Sequence, residues 1–333
     1  MWPPARGRGM QVIVHGGAGG SPDDPEPRQA VLDESAAAGA AAADPLSAVE
    51  SAVRVLESDP RFNAGVGSAV QSDGAIRTDA GLMTDDPRAG AACGMPGVEH
   101  AVSAARAVLE ETPHVLVAGP KAVELAGEFG VETGRDLWSD RNRERWAEAD
   151  APADASSREQ LAWLESRFGS GDDEDDEGDY AAPSGSSTPD AADRAVDPPG
   201  TDPDGDPHDH DTVGAVARDG DRFAAATSTG GRWFALAGRV GDVPQIGSGF
   251  YCSSAGGASA TGAGEEIAKC TLSRRAVDLL ESGHSAPEAA RTAIEEFGAE
   301  SADDAVAGVI VMGEDGVGSA YNSELMQTAV ASD

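Results

Sequence analysis

Residues 210–231 read HDTVGAVARDGDRFAAATSTGG. Two apolar runs, Thr212–Ala217 and Phe223–Thr229, flank Arg218-Asp219-Gly220-Asp221. Asp-Gly between such runs is a strong signal for a short β-hairpin. A two-residue turn at 219–220 pairs residues whose numbers sum to 439, so Thr212 is expected to face Thr227, with Thr229 its diagonal neighbour on the same face. Threonine hydroxyls therefore gather at one end of one hairpin. The strand opens where a polar tract ends, which leaves an accessible backbone bond, Asp211–Thr212, beside a rigid frame. A threonine freed at that bond carries its own base: an α-amino group of pKa about 7.7–8.0 next to a hydroxyl nucleophile.

Outward from this hairpin, the chain alternates helix and strand signals. A second hairpin, Gly308–Met312 with Val317–Tyr321, is predicted around Asp315-Gly316. Between the hairpins, Glu265–Ser282 and Pro287–Phe297 read as helices, the second capped by Ser285. Upstream, Gln11–Val14 reads as a strand running into a Gly-rich loop, His15-Gly16-Gly17-Ala18-Gly19-Gly20. Asp44-Pro45 supplies an N-cap and an N1 proline for a helix whose Leu46, Val49, Val53 and Leu56 share one face. Val98, Ala101, Val102, Ala105, Val108 and Leu109 repeat that pattern, and His114–Ala118 reads as a short strand. This order predicts an α+β protein, antiparallel sheets covered by helices, rather than a parallel βαβ series. Residues 136–168 are charged and partly helical in pattern. Residues 169–210 are almost devoid of apolar side chains and are expected to be disordered.

The 333-residue chain carries 59 acidic and 24 basic residues, a net charge of −35, and its only lysines are Lys121 and Lys269. Such a charge disfavours nucleic acid and anionic membrane partners. It resembles the composition of halophile proteins, in which salt screens self-repulsion. No apolar stretch approaches the ~20 residues of a membrane span. The first ten residues lack the apolar core of a signal peptide, so a cytoplasmic location is expected. Cys93, Cys252 and Cys270 have no ligand spacing. HGGAGG is not a dinucleotide fingerprint, and Walker and G-x-S-x-G motifs are missing. His208 and His210 belong to a solvated acidic run rather than a metal site. His100 and His114 read as structural, while His15, at the end of a strand, reads equally as a core or a site histidine.

The ordered segments HDTVGAVA (210–217), TSTGG (227–231), GRVGDVPQIGSGFY (238–251) and ATGAGE (260–265) resemble the plant-type asparaginase and isoaspartyl peptidase family. These are N-terminal-nucleophile hydrolases, which also include the glycosylasparaginases. VIVHGGAGG (12–20), FNAGVGSAV (62–70) and TDAGLMTDD (78–86), beside the family's D-A-x-x-M-D-G, extend the likeness. The resemblance covers residues 10–135 and 210–325 and implies a four-layer αββα sandwich. It implies self-cleavage between Asp211 and Thr212, giving an α chain 1–211 (ordered over about 10–168, then an acidic linker over about 169–210) and a β chain 212–333. Thr212 becomes the nucleophile, Thr229 a hydroxyl beside it, and Thr261 with the Gly262 amide the oxyanion hole. Asn63 is implied to steady water or the reacting carbonyl. Arg239 and Asp242 would clamp the substrate α-carboxylate and α-ammonium, with Gly264 offering its carbonyl. Backbone carbonyls of Leu56, Glu57, Asp59, Phe62, Ala64 and Val66 would hold a structural sodium ion. The Gly16-Gly17 turn would flex during activation. No organic cofactor is expected, and the family's assembly implies an (αβ)2 dimer of heterodimers. The substrates implied are L-asparagine and β-aspartyl dipeptides; the alternatives are a glycosylasparaginase of the same fold, or an unprocessed homologue that binds amino acids without turnover. Asp211, Gly81, Thr84 and Ala263 depart from the usual family residues and bear on substrate preference.

Overall fold

A computed structural model describes residues 9–22, 25–168, 212–301 and 305–333. The acidic tract 169–210, its two histidines and Asp211 lie outside the described residues. The elements, in chain order, are β1 (Gln11–Gly19), α1 (Pro25–Ala40), α2 (Pro45–Glu57), β2 (Arg77–Thr84), β3 (Ala89–Pro96), α3 (Ala101–Glu111), β4 (Leu116–Ala118), α4 (Pro120–Glu128), α5 (Asp140–Ala149) and α6 (Ser157–Phe168). After the acidic tract follow β5 (Val213–Asp219), β6 (Arg222–Thr229), β7 (Phe250–Ser253), β8 (Gly256–Gly262), α7 (Gly264–Cys270), α8 (Leu272–Glu281), α9 (Ala286–Glu300), β9 (Ala307–Gly313), β10 (Gly316–Tyr321) and β11 (Leu325–Ser332).

The strands form two sheets, in the orders β11-β1-β5-β6-β2-β3-β4 and β10-β9-β8-β7. Period-two alternation assigns each face. On β5, Val213, Ala215 and Ala217 face α1–α4, while Val216 points to the other sheet. On β6, Ala224 and Ala226 face the helices, and Phe223 and Ala225 meet Phe250, Cys252, Ile310 and Met312 between the sheets. On β8, Ala258 and Ala260 pack against α7–α9 on the far side. The result is the expected order of helix, sheet, sheet, helix. Ala and Gly dominate the strands because the sheets approach closely: a Cβ on Gly81 would lie 2.0 Å from the Phe250 ring, and one on Gly257 2.9 Å from Val216.

Local signals behave as expected at the helix starts. Asp44 caps α2 by accepting from the Ser47 amide at 3.0 Å, and Ser285 with Glu288 forms a capping box on α9. Other expectations are corrected. The β5–β6 turn uses Gly220-Asp221, not Asp219-Gly220, because Gly220 takes a φ of +63° at the first central position, which glycine allows freely. The pairing sum is therefore 441, as in Gly214 with Thr227, and Thr212 lies directly opposite Thr229. The second hairpin slips likewise, turning at Glu314-Asp315. The HGGAGG segment is not a loop: β1 continues to Gly19, with an irregularity between His15 and Ala18 where Gly17 has a φ of +111°. The helix predicted over 265–282 is broken at Thr271, whose φ is +52°, into α7 and α8. The large sheet is not wholly antiparallel, since β3 and β4 pair in parallel through the α3 crossover.

Candidate active site

The hairpin register carries Thr212 into contact with Thr229: the Thr212 hydroxyl donates to Thr229 Oγ1 at 3.0 Å. Both side chains are buried on the face between the sheets. A second register runs across that gap. Gly257 meets Val216 and Ala225, and Ser259 meets Gly214 and Thr227. Each pair advances by two residues, so the next step brings Thr261, itself fully buried, to Thr212 and Thr229. The threonine cluster is thus 212, 229 and 261.

Thr227 belongs to the neighbouring layer. Its hydroxyl donates to the Gly249 carbonyl at 2.7 Å and lies 2.6 Å from Ser259 Oγ. Ser259 in turn lies 2.9 Å from His15 Nε2. His15 is fully buried, and desolvation drives its pKa down to about 3, the Thr212 backbone acting in the opposite sense. It is a neutral, structural partner of the seam, one layer from the threonines. A Cβ on Gly214 would stand 2.0 Å from Ser259 Oγ and 2.5 Å from His15 Nε2, so only glycine lets this polar layer close.

Asn63 lies beside the cluster but is already engaged. Its Nδ2 donates to the Gly231 carbonyl at 2.6 Å, its Oδ1 accepts from Ala69, and its carbonyl accepts from Gly230. The Gly231 amide also donates to Thr229 Oγ1 at 3.1 Å. Asn63 therefore ties down the loop leaving β6, which in turn orients Thr229.

Arg239, Asp242 and Gly264 converge as expected. A Cβ on Gly264 would lie 2.7 Å from Asp242 Oδ1 and 2.8 Å from Arg239 Nη2. Glu265, at the start of α7, receives Arg239 Nε at 2.8 Å and Nη2 at 2.7 Å. This bidentate grip holds the guanidinium in place while engaging two of its three nitrogens. Asp242 is buried, its Oδ2 without a hydrogen-bond partner. Burial raises its pKa to about 7 against the pull of Arg239, with Glu265 and Asp79 pushing the same way as burial. Asp79 pairs with Thr229 across β2–β6 and accepts from the Gly94 amide at 2.6 Å. Burial also lifts its pKa to about 7, opposed by the Gly94 amide and Arg239. Asp79 thus lies between the threonines and the Arg239–Asp242 charges.

The 56–66 loop closes on itself through a Val66 amide bond to the Glu57 carbonyl at 2.8 Å. Gly65, at φ +57°, allows that approach, since a Cβ there would lie 2.1 Å from the same oxygen. No group of His, Cys, Asp and Glu side chains suited to a metal ion occurs among the described residues. The loop's donors are backbone oxygens, which suit a hard cation. Behind it the buried Glu57 carboxylate accepts from Ser228 at 2.6 Å and from the Val102 amide at 2.9 Å, with His100 at 3.4 Å. Burial raises its pKa, against His100 and Ser228.

Sequence reasoning missed Asp79, Ser259 and Glu265. Asp79 and Glu265 sit inside quoted motifs but carry no local signal of a role. Ser259 reads as one more small strand residue.

Two sheets between helical layers, with a threonine at the head of a central strand, define the N-terminal-nucleophile hydrolase fold. The chain belongs to the asparaginase family, whose model (Asparaginase_2) matches residues 8–333. It is 34% identical over 330 residues to a plant-type L-asparaginase of Pyrococcus abyssi, covering 96% of this chain and 95% of that one. It is 38% identical over 280 residues to a plant-type L-asparaginase of Pyrobaculum calidifontis, covering 81% and 79%. The isoaspartyl peptidase/L-asparaginase of Bos taurus is 33% identical over 297 residues, covering 85% and 80%.

Proposed function

We propose that this protein is an autoprocessed threonine amidohydrolase acting on L-asparagine and β-aspartyl dipeptides. The observation that carries the reading is the Thr212–Thr229 hydroxyl contact at the head of β5. In the precursor, Thr212 Oγ1 attacks the Asp211 carbonyl carbon; the C–N bond breaks, an ester forms, and water releases the Asp211 carboxylate and a free Thr212 α-amino group. That amine then takes the hydroxyl proton as Thr212 attacks the substrate side-chain amide. Thr261 and the Gly262 amide receive the developing oxyanion. The leaving amine departs protonated, and water frees aspartate from the acyl-enzyme. Arg239 Nη1, not used by Glu265, faces the substrate α-carboxylate, and Asp242 with the Gly264 carbonyl faces the α-ammonium. The residues of the 56–66 loop are suited to a sodium ion that stiffens the segment carrying Asn63.

The chains 1–211 and 212–333 assemble as an (αβ)2 dimer of heterodimers in this reading. A cytoplasmic location is supported by three free cysteines, two of them buried. No helix among the described residues is long and apolar enough to cross a membrane. The acidic composition supports a halophilic setting.

The test is intact mass after incubation in molar salt, with Thr212→Ala in parallel. Two fragments meeting at 211/212, absent from the variant, are expected. Product analysis on asparagine, β-Asp-Leu and glycosylated asparagine then assigns the substrate. An uncut, folded wild type that binds aspartate without turnover would overturn the reading.

A further inference from the structure

The loop that ends in Arg239 has no strand of its own to hold it. Residues 70–72 do so instead. The Phe234 amide donates to the Val70 carbonyl at 2.8 Å, and the Ser72 amide to the Ala235 carbonyl at 2.9 Å. Beyond that point side chains take over. The Ala237 amide donates to Ser72 Oγ at 3.0 Å, the Gly238 amide to Gln71 Oε1 at 2.9 Å, and Gln71 Nε2 to the Arg239 carbonyl at 3.2 Å. Arg77 Nη1 also donates to Gln71 Oε1 at 2.6 Å, and Arg77 is itself held by Asp73. A guanidinium only donates, so it commits the Gln71 oxygen to its own side and leaves the amide NH2 for the Arg239 carbonyl. Gln71 is 3% exposed and lies in the segment preceding the scissile bond, whereas Arg239 follows it. Arg239 is thus fixed at two points: its guanidinium by Glu265 and its backbone by Gln71.

We propose that Gln71 is a positioning residue for substrate recognition: it sets the reach of Arg239 toward the α-carboxylate and so controls KM rather than chemistry. The inference rests on the reading of Arg239 as the carboxylate clamp. The Gln71 side chain is committed to Gly238, Arg77 and the Arg239 carbonyl, so self-cleavage does not depend on it.

The experiment measures kcat and KM for L-asparagine in wild type, Gln71→Met, Gln71→Glu and Arg239→Met, together with kcat/KM for 3-aminopropanamide, which lacks the α-carboxylate. Gln71→Met keeps the side-chain length and removes every hydrogen bond. Gln71→Glu keeps the acceptor for Gly238 and Arg77 and places an oxygen against the Arg239 carbonyl, so it tests the same contact if the first variant fails to fold. Both are expected to raise KM for asparagine about tenfold with kcat within about twofold, and to leave self-cleavage and 3-aminopropanamide hydrolysis unchanged. An unchanged KM in both, or equal losses on both substrates, overturns the proposal. Arg239→Met with unchanged KM overturns the clamp reading and the inference with it; a raised KM in Arg239→Met alone overturns only the inference.

Discussion

Thr229 accepts from the Thr212 hydroxyl and from the Gly231 amide at once. Thr229→Val keeps its shape and leaves the Thr212 hydroxyl without that acceptor. Self-cleavage and turnover are expected to slow by about 10²-fold or more, followed by intact mass over time and by ammonia release. The titratable residues act on stability in opposite directions. Asp242 has a folded pKa of about 7 against an ordinary 3.8, so between those values the folded chain holds a proton that the unfolded chain has lost. Stability from this group therefore falls as pH rises through that window. Asp242→Asn should be more stable relative to wild type at pH 8 than at pH 4, by urea denaturation, while losing affinity for aspartate. His15 works the other way: held neutral to about 3 against an ordinary 6.5, it removes stability as pH falls through that range.

At the scale of elements, the site exists because two sheets of small residues come close enough for hydroxyls to meet. Gly214 is one of the points of closest approach. Gly214→Ala is expected to cost about 1–3 kcal/mol by denaturant unfolding and to slow cleavage, because Ser259 and His15 cannot both keep their places. The predicted hairpin shows how far local reading reaches. Both strands were legible in 212–229, yet reading Asp219-Gly220 as the turn gave the wrong register; Gly220 at the first central position shifts it so that Thr212 faces Thr229. The strands β2, β3 and β8 carry no clear period, since nearly all of their residues are buried and Ala and Gly serve equally in helix and strand.

For the whole molecule, the sheet order interlocks the two segments that the proposed cleavage would separate. β1, from the first fragment, lies between β11 and β5 of the second, and β6 of the second abuts β2 of the first. Cleaved protein should therefore elute as one species in native buffer and separate only in denaturant, checked by size exclusion with mass detection. A net charge of −35 repels itself in the compact state, so the melting temperature should rise as salt goes from about 0.05 to about 1 M, where the Debye length shortens to about 3 Å. The two strands of the central hairpin, the threonine at a strand head and the capped helices were legible in the sequence alone, because each depends on neighbours close along the chain. Which threonines meet, the partnership of Arg239 with Glu265, and the roles of Asp79 and His15 were decided only by tertiary structure. Those contacts join residues far apart in sequence, and their geometry comes from the register and spacing of two packed sheets.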